Sequence, residues 1–323
     1  MVKLLGKTIV MLAAFGAANA FGQSAQAWLD RMNRTVEQLS YEGTFVHVFG
    51  GTAETLRIVH RNSDGRIAER ILSLNGIGRE IIREQGEVKC ILPDRRMVLL
   101  LQARHHSSSL ATALPSYSEK LIPYYKFELY HTERVANRLT QVVGIKPKDQ
   151  YRYGYMLWLD EKTAMPLKSQ LRSETGKIVE QILFTDFKPS SQIPESALKP
   201  SIDTTGFKWF RPPQKWAGKN SDKKKPIPWR ASLLPKGFSL AAFTERPIAG
   251  SQYPVDHLVY SDGLATVSVF IENPKSHTDV TEGFSTLGST NAYSLTINGR
   301  KVTAIGEVPR RTVRQIASSL IPE

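Results

Sequence analysis

The sequence has a single cysteine, Cys90, and therefore cannot form an intrachain disulfide. A hydrophobic core has to hold the fold without covalent cross-links, and a chain of 323 residues is long enough to build one, in two domains of ordinary size. Cys90 lies in the apolar segment 88–92. That context favours a core thiol, with a reactive or intermolecular thiol as the alternative.

Catalytic motifs are also missing from the chain. It contains no G-x-S-x-G, no glycine-rich phosphate loop, no H-E-x-x-H and no C-x-x-C. His105 and His106 are adjacent on a polar loop segment, which is weak evidence for a metal site. Paired carboxylates for glycoside hydrolysis could converge in the fold, but no spacing marks them. We predict no catalytic residues, no metal site and no cofactor.

Long hydrophobic runs are scarce, and the clearest one is N-terminal. Lys3 and Lys7 precede an apolar run at residues 8–15, and the sequence Ala-Asn-Ala at 18–20 resembles a cleavage site. These are the three parts of a secretory signal peptide, so we predict that residues 1–20 are removed on export. A buried N-terminal helix is the alternative. No other stretch reaches the ~20 apolar residues of a membrane span, and we expect a soluble exported protein.

Acidic residues are the minority, and the formal net charge is +13. Most of this excess lies in residues 208–230, where eight basic residues and one acid give 8 − 1 = +7. Prolines make the segment extended, and tryptophans are interleaved with its cations. It is predicted to be a solvated linker, or a docking segment for an acidic partner or an anionic headgroup. The candidate binding residues are Lys215, Trp216, Lys223, Lys224, Lys225, Trp229 and Arg230. Nucleic acid is not expected as a partner of an exported protein.

Most of the remaining chain alternates between apolar and polar residues in short segments separated by turn sequences. In residues 151–160, Tyr153, Tyr155 and Leu157 share one face, which predicts a sheet with a strongly apolar side. Strand-like segments recur every eight to twelve residues over 41–102, a spacing typical of an antiparallel sheet that coils on itself. Residues 97–102 are almost entirely apolar and are predicted to form a strand buried on both faces.

Helices are predicted at three places. The first spans 24–39, with Ser24 as its N-cap. One or two short helices are expected in 114–135, and the last helix begins near Pro309. The predicted organisation is a main domain at 21–205, a linker at 206–230 and a smaller β-domain at 231–323 that ends in this helix.

Several long strings resemble the RseB/MucB family of periplasmic regulators. They include WLDRM at 28–32, YEGTFV at 41–46 and the strand at 153–160 in the first domain. In the second domain they include LPKGF at 234–238, YSDGLA at 260–265 and GEVP at 306–309. The resemblance covers essentially the whole chain after residue 20.

The resemblance implies a mainly β (α+β) fold, in which the first domain is an unclosed antiparallel β-barrel like that of the lipoprotein carriers LolA and LolB, with covering helices. It implies a periplasmic protein that binds the periplasmic part of a membrane-spanning anti-sigma factor and protects it from regulated proteolysis. Lipopolysaccharide or its lipid A part would release the partner. In one branch of the family this restrains the alginate sigma factor in the envelope stress response.

On this basis Tyr153, Tyr155 and Leu157 are predicted to contact the lipid, and core packing against helices is the alternative for this face. A periplasmic lipid or lipoprotein carrier without a regulatory partner is a second hypothesis for the function. A polysaccharide-active enzyme is a third. The sequence leaves self-association open.

Overall fold

The computed structural model describes residues 24–84, 86–102, 110, 113–211, 226–246, 253–273 and 282–323. The predicted signal peptide lies outside these ranges. The described chain is mainly β, with an open sheet followed by a smaller sheet domain and a terminal helix, which confirms the expected fold class. Among the described residues, no helix is long and apolar enough to cross a bilayer.

The first domain is built on one twelve-stranded sheet. Its strands are β1 (Tyr41–Phe49), β2 (Thr52–Ser63), β3 (Arg66–Ser73), β4 (Glu80–Glu84), β5 (Glu87–Leu92), β6 (Met97–Gln102), β7 (Tyr125–Val135), β8 (Arg138–Pro147), β9 (Gly154–Asp160), β10 (Pro166–Arg172), β11 (Ile178–Pro189) and β12 (Lys208–Phe210). They are ordered β12-β6-β5-β4-β3-β2-β1-β11-β10-β9-β8-β7. Neighbours are antiparallel except β12, which runs parallel to β6. β7 and β12 therefore lie at opposite ends of the sheet and leave it open.

Helix α1 (Ala25–Gln38) covers the face of the sheet that we call the inner face. Ser24 caps it as predicted, because its hydroxyl accepts a hydrogen bond from the Ala27 amide at 3.1 Å. Leu29, Met32 and Val36 are buried in the core of the sheet. Full burial of such a side chain contributes about 1.5–3 kcal/mol, so this one apolar stripe fixes the helix on the sheet.

The outer face of the sheet is covered near β2 and β3 by the segment that follows β11. Helix α2 (Glu195–Leu198) belongs to this segment, and Ile193 and Leu198 pack on Val59 and Ala68. The fully buried Glu80 carboxylate accepts hydrogen bonds from the backbone amides of residues 201 and 202. The segment is thus fastened by apolar packing and by a satisfied buried charge.

The second domain contains a six-stranded sheet and helix α3 (Arg310–Ser318). The strands are β14 (Ser239–Arg246), β15 (Val255–Ser261), β16 (Thr266–Ile271), β17 (Gly283–Leu287), β18 (Thr290–Ile297) and β19 (Arg300–Gly306), in the order β14-β15-β16-β19-β18-β17. A separate pair is formed by β13 (Trp229–Ala231) and β20 (Leu320–Pro322). Val313, Ile316 and Ala317 of α3 pack on the sheet. Asn298 and Gly299 have φ values of 50° and 72°, the positive values that a tight hairpin turn between β18 and β19 requires.

Two local predictions are wrong in part. One or two short helices were expected in 114–135, and Glu119–Leu121 does form a short 3-10 helix, but Tyr125–Val135 forms β7 and pairs with β8. The register of this pair shifts between Leu129 and Thr132, and such a bulge interrupts the alternation by which a strand is recognised. Residues 97–102 form β6, but not a strand buried on both faces, because Leu101 is 41% exposed. The neighbour of β6 toward the sheet edge is β12, which is only three residues long.

The segment predicted to be a linker at 206–230 begins and ends in strands. Lys208–Phe210 is the parallel edge strand β12 of the large sheet, and Trp229–Ala231 pairs with the C-terminal strand β20. Residues 212–225 lie outside the described ranges. The two ends of the segment therefore belong structurally to the two domains that it connects.

Candidate functional site

The two domains meet along residues 149–153, and a buried ion pair lies at the centre of this contact. Arg152, on the loop before β9, has a completely buried side chain. It donates to the Asp262 carboxylate of the second domain at 2.7 Å and to the Lys236 carbonyl at 2.6 Å. Tyr125 donates its hydroxyl proton to the same Asp262 oxygen at 2.9 Å. A buried guanidinium and carboxylate with these additional bonds fix the relative position of the two domains.

Aromatic rings enclose this ion pair. The Arg152 guanidinium lies 5.2 Å from the ring centroids of Tyr124 and Phe238, one from each domain. Gly237 has φ = +85°, and a β-carbon built there would lie 2.5 Å from the Tyr124 ring. A side chain at this position would therefore push the domains apart, which explains the need for glycine in the LPKGF string.

A cavity of about 600 Å³ lies beside the ion pair, between the inner face of the large sheet and the second domain. The first domain contributes Tyr125, Tyr155 and Leu171 to its wall, and the second contributes Leu264 and Ile305. The volume falls within the range of ordinary small-molecule sites, about 300–1,000 Å³. Because both domains form the wall, any occupant would respond to their relative position.

The three side chains predicted to bind lipid lie in different surroundings. Tyr155 lines the cavity, and burial raises the pKa of its phenol. Tyr153 also contacts the cavity, but its hydroxyl accepts a hydrogen bond from Asn291 of the second domain at 2.9 Å. Leu157 is completely buried in the core beside α1. The predicted apolar face is therefore shared between ligand cavity, domain contact and ordinary core.

A cluster of polar groups bridges the domains at the cavity wall. The imidazole of His47 lies 2.8 Å from the Glu180 carboxylate. The Ser289 hydroxyl lies 2.7 Å from Glu180 and 2.9 Å from Glu307. A serine hydroxyl has one proton to donate. Both carboxylates can be hydrogen bonded through Ser289 only if one of them carries a proton, which it then donates to the serine oxygen.

The surroundings of the two carboxylates show which of them is protonated more readily. The hydrogen bond from His47 lowers the pKa of Glu180, while desolvation and then the charge of Glu180 raise the pKa of Glu307. We therefore assign the shared proton to Glu307. A carboxyl whose pKa is raised in the assembled form stabilises that form below its ordinary pKa, and this contribution is lost as the pH rises through the raised value.

We expect Glu307→Gln to raise the unfolding midpoint at pH 8 and to have a diminishing effect as the pH falls towards 4.5, because glutamine supplies the missing donor permanently. Glu180→Gln should instead lower the unfolding free energy by about 1.5–3 kcal/mol at neutral pH, the value of a charge-assisted hydrogen bond. Thermal unfolding of both variants from pH 4.5 to 8 measures this. An equal, pH-independent shift in the two variants would contradict the assignment of the proton.

The predicted docking residues are only partly visible. Lys215, Trp216, Lys223, Lys224 and Lys225 lie outside the described residues. Arg230 is exposed and pairs with the Glu323 carboxylate at 2.9 Å. Trp229 is 5% exposed and belongs to the core of the second domain. Its ring is therefore no docking surface in this conformation, which corrects that part of the hypothesis. Burial follows from the pairing of β13 with β20, whose register the sequence does not show.

Sequence reasoning did not identify the other groups of this site. Neither His47 nor Asp262 was singled out, and Asp262 lies in a turn sequence, where it accepts local hydrogen bonds from the amides of Leu264 and Ala265. The partners Arg152 and Asp262 are 110 residues apart in the chain. No local pattern could have indicated such a pairing.

Comparison with known families shows which family this chain belongs to. Residues 24–202 match the family model of the MucB/RseB N-terminal domain, and residues 223–321 match that of the MucB/RseB C-terminal domain. The chain belongs to the MucB/RseB family. Among curated MucB/RseB relatives, the Sigma factor AlgU regulatory protein MucB of Pseudomonas aeruginosa is 34% identical over 93% of this chain and 91% of the relative. The Sigma-E factor regulatory protein RseB of Haemophilus influenzae is 29% identical over 94% and 93%.

Solved MucB structures show the same fold as this MucB/RseB chain. MucB in complex with MucA(peri) matches with a TM-score of 0.71 and 32% identity, over 93% of this chain and 99% of the solved one. MucB solved by itself matches with a TM-score of 0.61 and 31% identity, over 93% and 98%. At equal coverage, this chain is thus more similar to the complexed form.

Proposed function

We propose that this chain is a periplasmic regulator of sigma-factor signalling that binds the periplasmic part of a membrane-spanning anti-sigma factor. The observation that carries the proposal is the match along 93% of the chain to a MucB chain solved with MucA(peri). The names of the curated relatives describe regulatory proteins, which supports a binding function and not turnover of a substrate. Binding would protect the anti-sigma factor from regulated proteolysis.

We further propose that lipopolysaccharide, through its lipid A part, releases the partner by binding at the cavity between the domains. A cavity of about 600 Å³ can take only part of a large lipid, so the wall around Tyr155 and Leu171 would hold an apolar portion. A ligand that favours the partner-free form must weaken partner binding by the same factor. The different TM-scores of this chain against the complexed and the free solved MucB, 0.71 and 0.61, support the idea that the family's fold has more than one arrangement.

Calorimetric titration of the chain with the periplasmic segment of the anti-sigma factor, with and without lipid A, tests this proposal. We expect lipid A to weaken partner binding by about 5–150-fold, the usual range of an allosteric coupling. The reciprocal measurement, lipid A binding with and without the segment, must give the same factor. Unequal factors, or simultaneous binding without change in either affinity, would contradict the release mechanism.

The second candidate function, a lipid or lipoprotein carrier, is favoured by the cavity. A pull-down from envelope extracts separates the two candidates: a regulator enriches one membrane-spanning partner, whereas a carrier enriches lipoproteins. The second domain argues for the regulator, because it closes the cavity wall with Leu264 and Ile305 and would restrict the passage of cargo.

The cationic segment is proposed to contact acidic groups of the partner or phosphates of the lipid. Reversing the charges of Lys223, Lys224 and Lys225 to glutamate should then lower the affinity for the partner segment or for lipid A about tenfold at low salt, with a smaller effect at high salt. The matched control reverses three exposed lysines of the first domain, Lys162, Lys177 and Lys199. If both triple variants bind both ligands like the unmodified chain, the segment has no docking role.

A further inference from the structure

A second groove, of about 710 Å³, lies at the domain boundary and differs in character from the cavity above. Arg310, Arg311 and Arg314 of helix α3 line it, together with the rings of Tyr151 and Phe284. Glu174 is the only acid among the described residues that line it. The groove is therefore cationic and has aromatic walls, whereas the described lining of the cavity around Tyr155 contains Glu180 and Glu307 and no lysine or arginine.

The three arginines line the same groove, and among the described residues none of them forms an ion pair with a carboxylate. Arg310 and Arg314 lie over the same Phe284 ring, at 5.4 and 6.0 Å from its centroid. Within the described part of the chain, Arg310 donates to the Thr286 hydroxyl at 3.0 Å and Arg311 to the Gln150 amide oxygen, both neutral acceptors. None of the three is bonded to a carboxylate there. Their remaining N–H groups are available to an anion.

This arrangement costs stability in the absence of an anion. Three cations within the first five residues of one helix repel each other, and they also lie at the helix end where cations are unfavourable, by about 0.3–1 kcal/mol each. No group of the helix itself compensates, since the first turn of α3 contains no acid and its N-cap, Pro309, has no side-chain cap bond. A sequence that departs from local preference in this way is typical of a functional site.

We propose that the groove formed by Arg310, Arg311 and Arg314 binds a phosphate monoester. Planar guanidinium groups match phosphate oxygens with paired hydrogen bonds, and a dianion on a compact site can accept bonds from several of them at once. An acidic peptide would instead need cations spaced along an extended path, whereas here Arg310 and Arg314 lie over one ring and all three arginines line one groove. The assignment rests on this geometry and not on the proposed regulatory function.

The phosphate could be free, or it could belong to a lipid headgroup. Binding is measured with inorganic phosphate, with glucose 1-phosphate, and with phosphatidylcholine vesicles that do or do not contain phosphatidic acid. Binding of the soluble phosphates with no preference for phosphatidic acid identifies a soluble ligand. If the protein binds to vesicles that contain phosphatidic acid, and soluble phosphate displaces it from them, the ligand is a lipid headgroup. Either result supports the site, provided that substitution of the groove arginines abolishes the binding.

The test variant is Arg310→Gln with Arg314→Gln, and the matched control is Arg34→Gln with Arg66→Gln, which removes the same charge at exposed positions elsewhere. We expect the affinity for phosphate to fall at least about tenfold in the test variant, from the loss of charge-assisted hydrogen bonds, and less than twofold in the control. Without ligand, the test variant should unfold at a slightly higher temperature than the unmodified chain, because cations leave the helix N-terminus. Equal phosphate affinity in the two variants would overturn the proposal.

Measuring how the test variant binds the anti-sigma segment distinguishes a failure of this proposal from a failure of the function proposed above. If the test variant loses the anti-sigma segment while phosphate neither binds nor competes, the groove takes carboxylates of a peptide and the phosphate assignment is wrong. If phosphate binding is lost and partner binding is retained, the phosphate site stands independently of the regulatory role.

Discussion

Arg152→Met should lower the free energy of unfolding by about 3–5 kcal/mol, because it leaves the Asp262 carboxylate buried without its counter-charge. The Asp262 side chain is completely buried, and Tyr125 alone cannot neutralise it. The same substitution removes the bond to the Lys236 carbonyl and the cation between the Tyr124 and Phe238 rings. Denaturant unfolding measures the loss. Calorimetry should also resolve two transitions, because the ion pair joins the two domains.

Asp149→Asn is the matched control for this experiment. Asp149 also pairs with Arg152, at 3.1 Å, but its side chain is 30% exposed. Loss of such an exposed partner is expected to cost less than about 1 kcal/mol. The double variant Arg152→Met with Asp262→Asn should be more stable than the sum of the single losses predicts, since a neutral asparagine can still accept the local amide bonds. A loss of under 1 kcal/mol with one cooperative transition would show that the pair does not hold the domains together.

Trp229→Ala should lower the free energy of unfolding by about 3–5 kcal/mol, the usual cost of removing a large aromatic side chain from a core. The ring is 5% exposed and packs in the core of the second domain. In addition, β13 joins the N-terminal end of this domain to its last strand through the Arg230–Ile321 pair. The expected result is early loss of the second domain, measured by tryptophan fluorescence and circular dichroism during thermal unfolding.

Trp209→Ala provides the comparison within the same segment. Trp209 is 54% exposed on the edge strand β12, so its removal should change the unfolding free energy by no more than about 0.5 kcal/mol. If Trp209 contributes to partner docking, the variant will instead lose affinity for the anti-sigma segment. Equal destabilisation by the two substitutions would contradict the different roles assigned to these tryptophans.

The first of these effects concerns an ion pair that connects the two domains, and this bears on the proposed release mechanism. The cavity, the ion pair and the Glu180–Ser289–Glu307 cluster all lie at the same boundary. A ligand or a proton that changes one of them therefore acts on the position of the second domain relative to the inner face of the sheet. In the proposed release mechanism, this boundary would be the two-state element that coupling between two ligands requires.

Much of the fold could be predicted from local sequence. Period-two alternation identified β9, and Ser24 marked the start of α1. These features succeeded because they depend on interactions between residues close in the chain, where side-chain direction and backbone preference are decisive. The β7 strand was missed because its bulge interrupts the pattern. The exposure of β6 was missed because it depends on the length of a distant neighbour, β12.

In the candidate site, too, local features could be predicted from the sequence, whereas contacts between distant residues could not. Sequence alone determined that this is a mainly β chain of the RseB/MucB type, with an apolar tyrosine face and a cationic segment, because periodicity and long motif strings are properties of neighbouring residues. Only the tertiary structure decided that Arg152 neutralises Asp262, that Trp229 is a core residue, and that Glu180 and Glu307 share a serine. These groups are distant in the chain, and their charge and burial depend on how two separately folded sheets pack against each other.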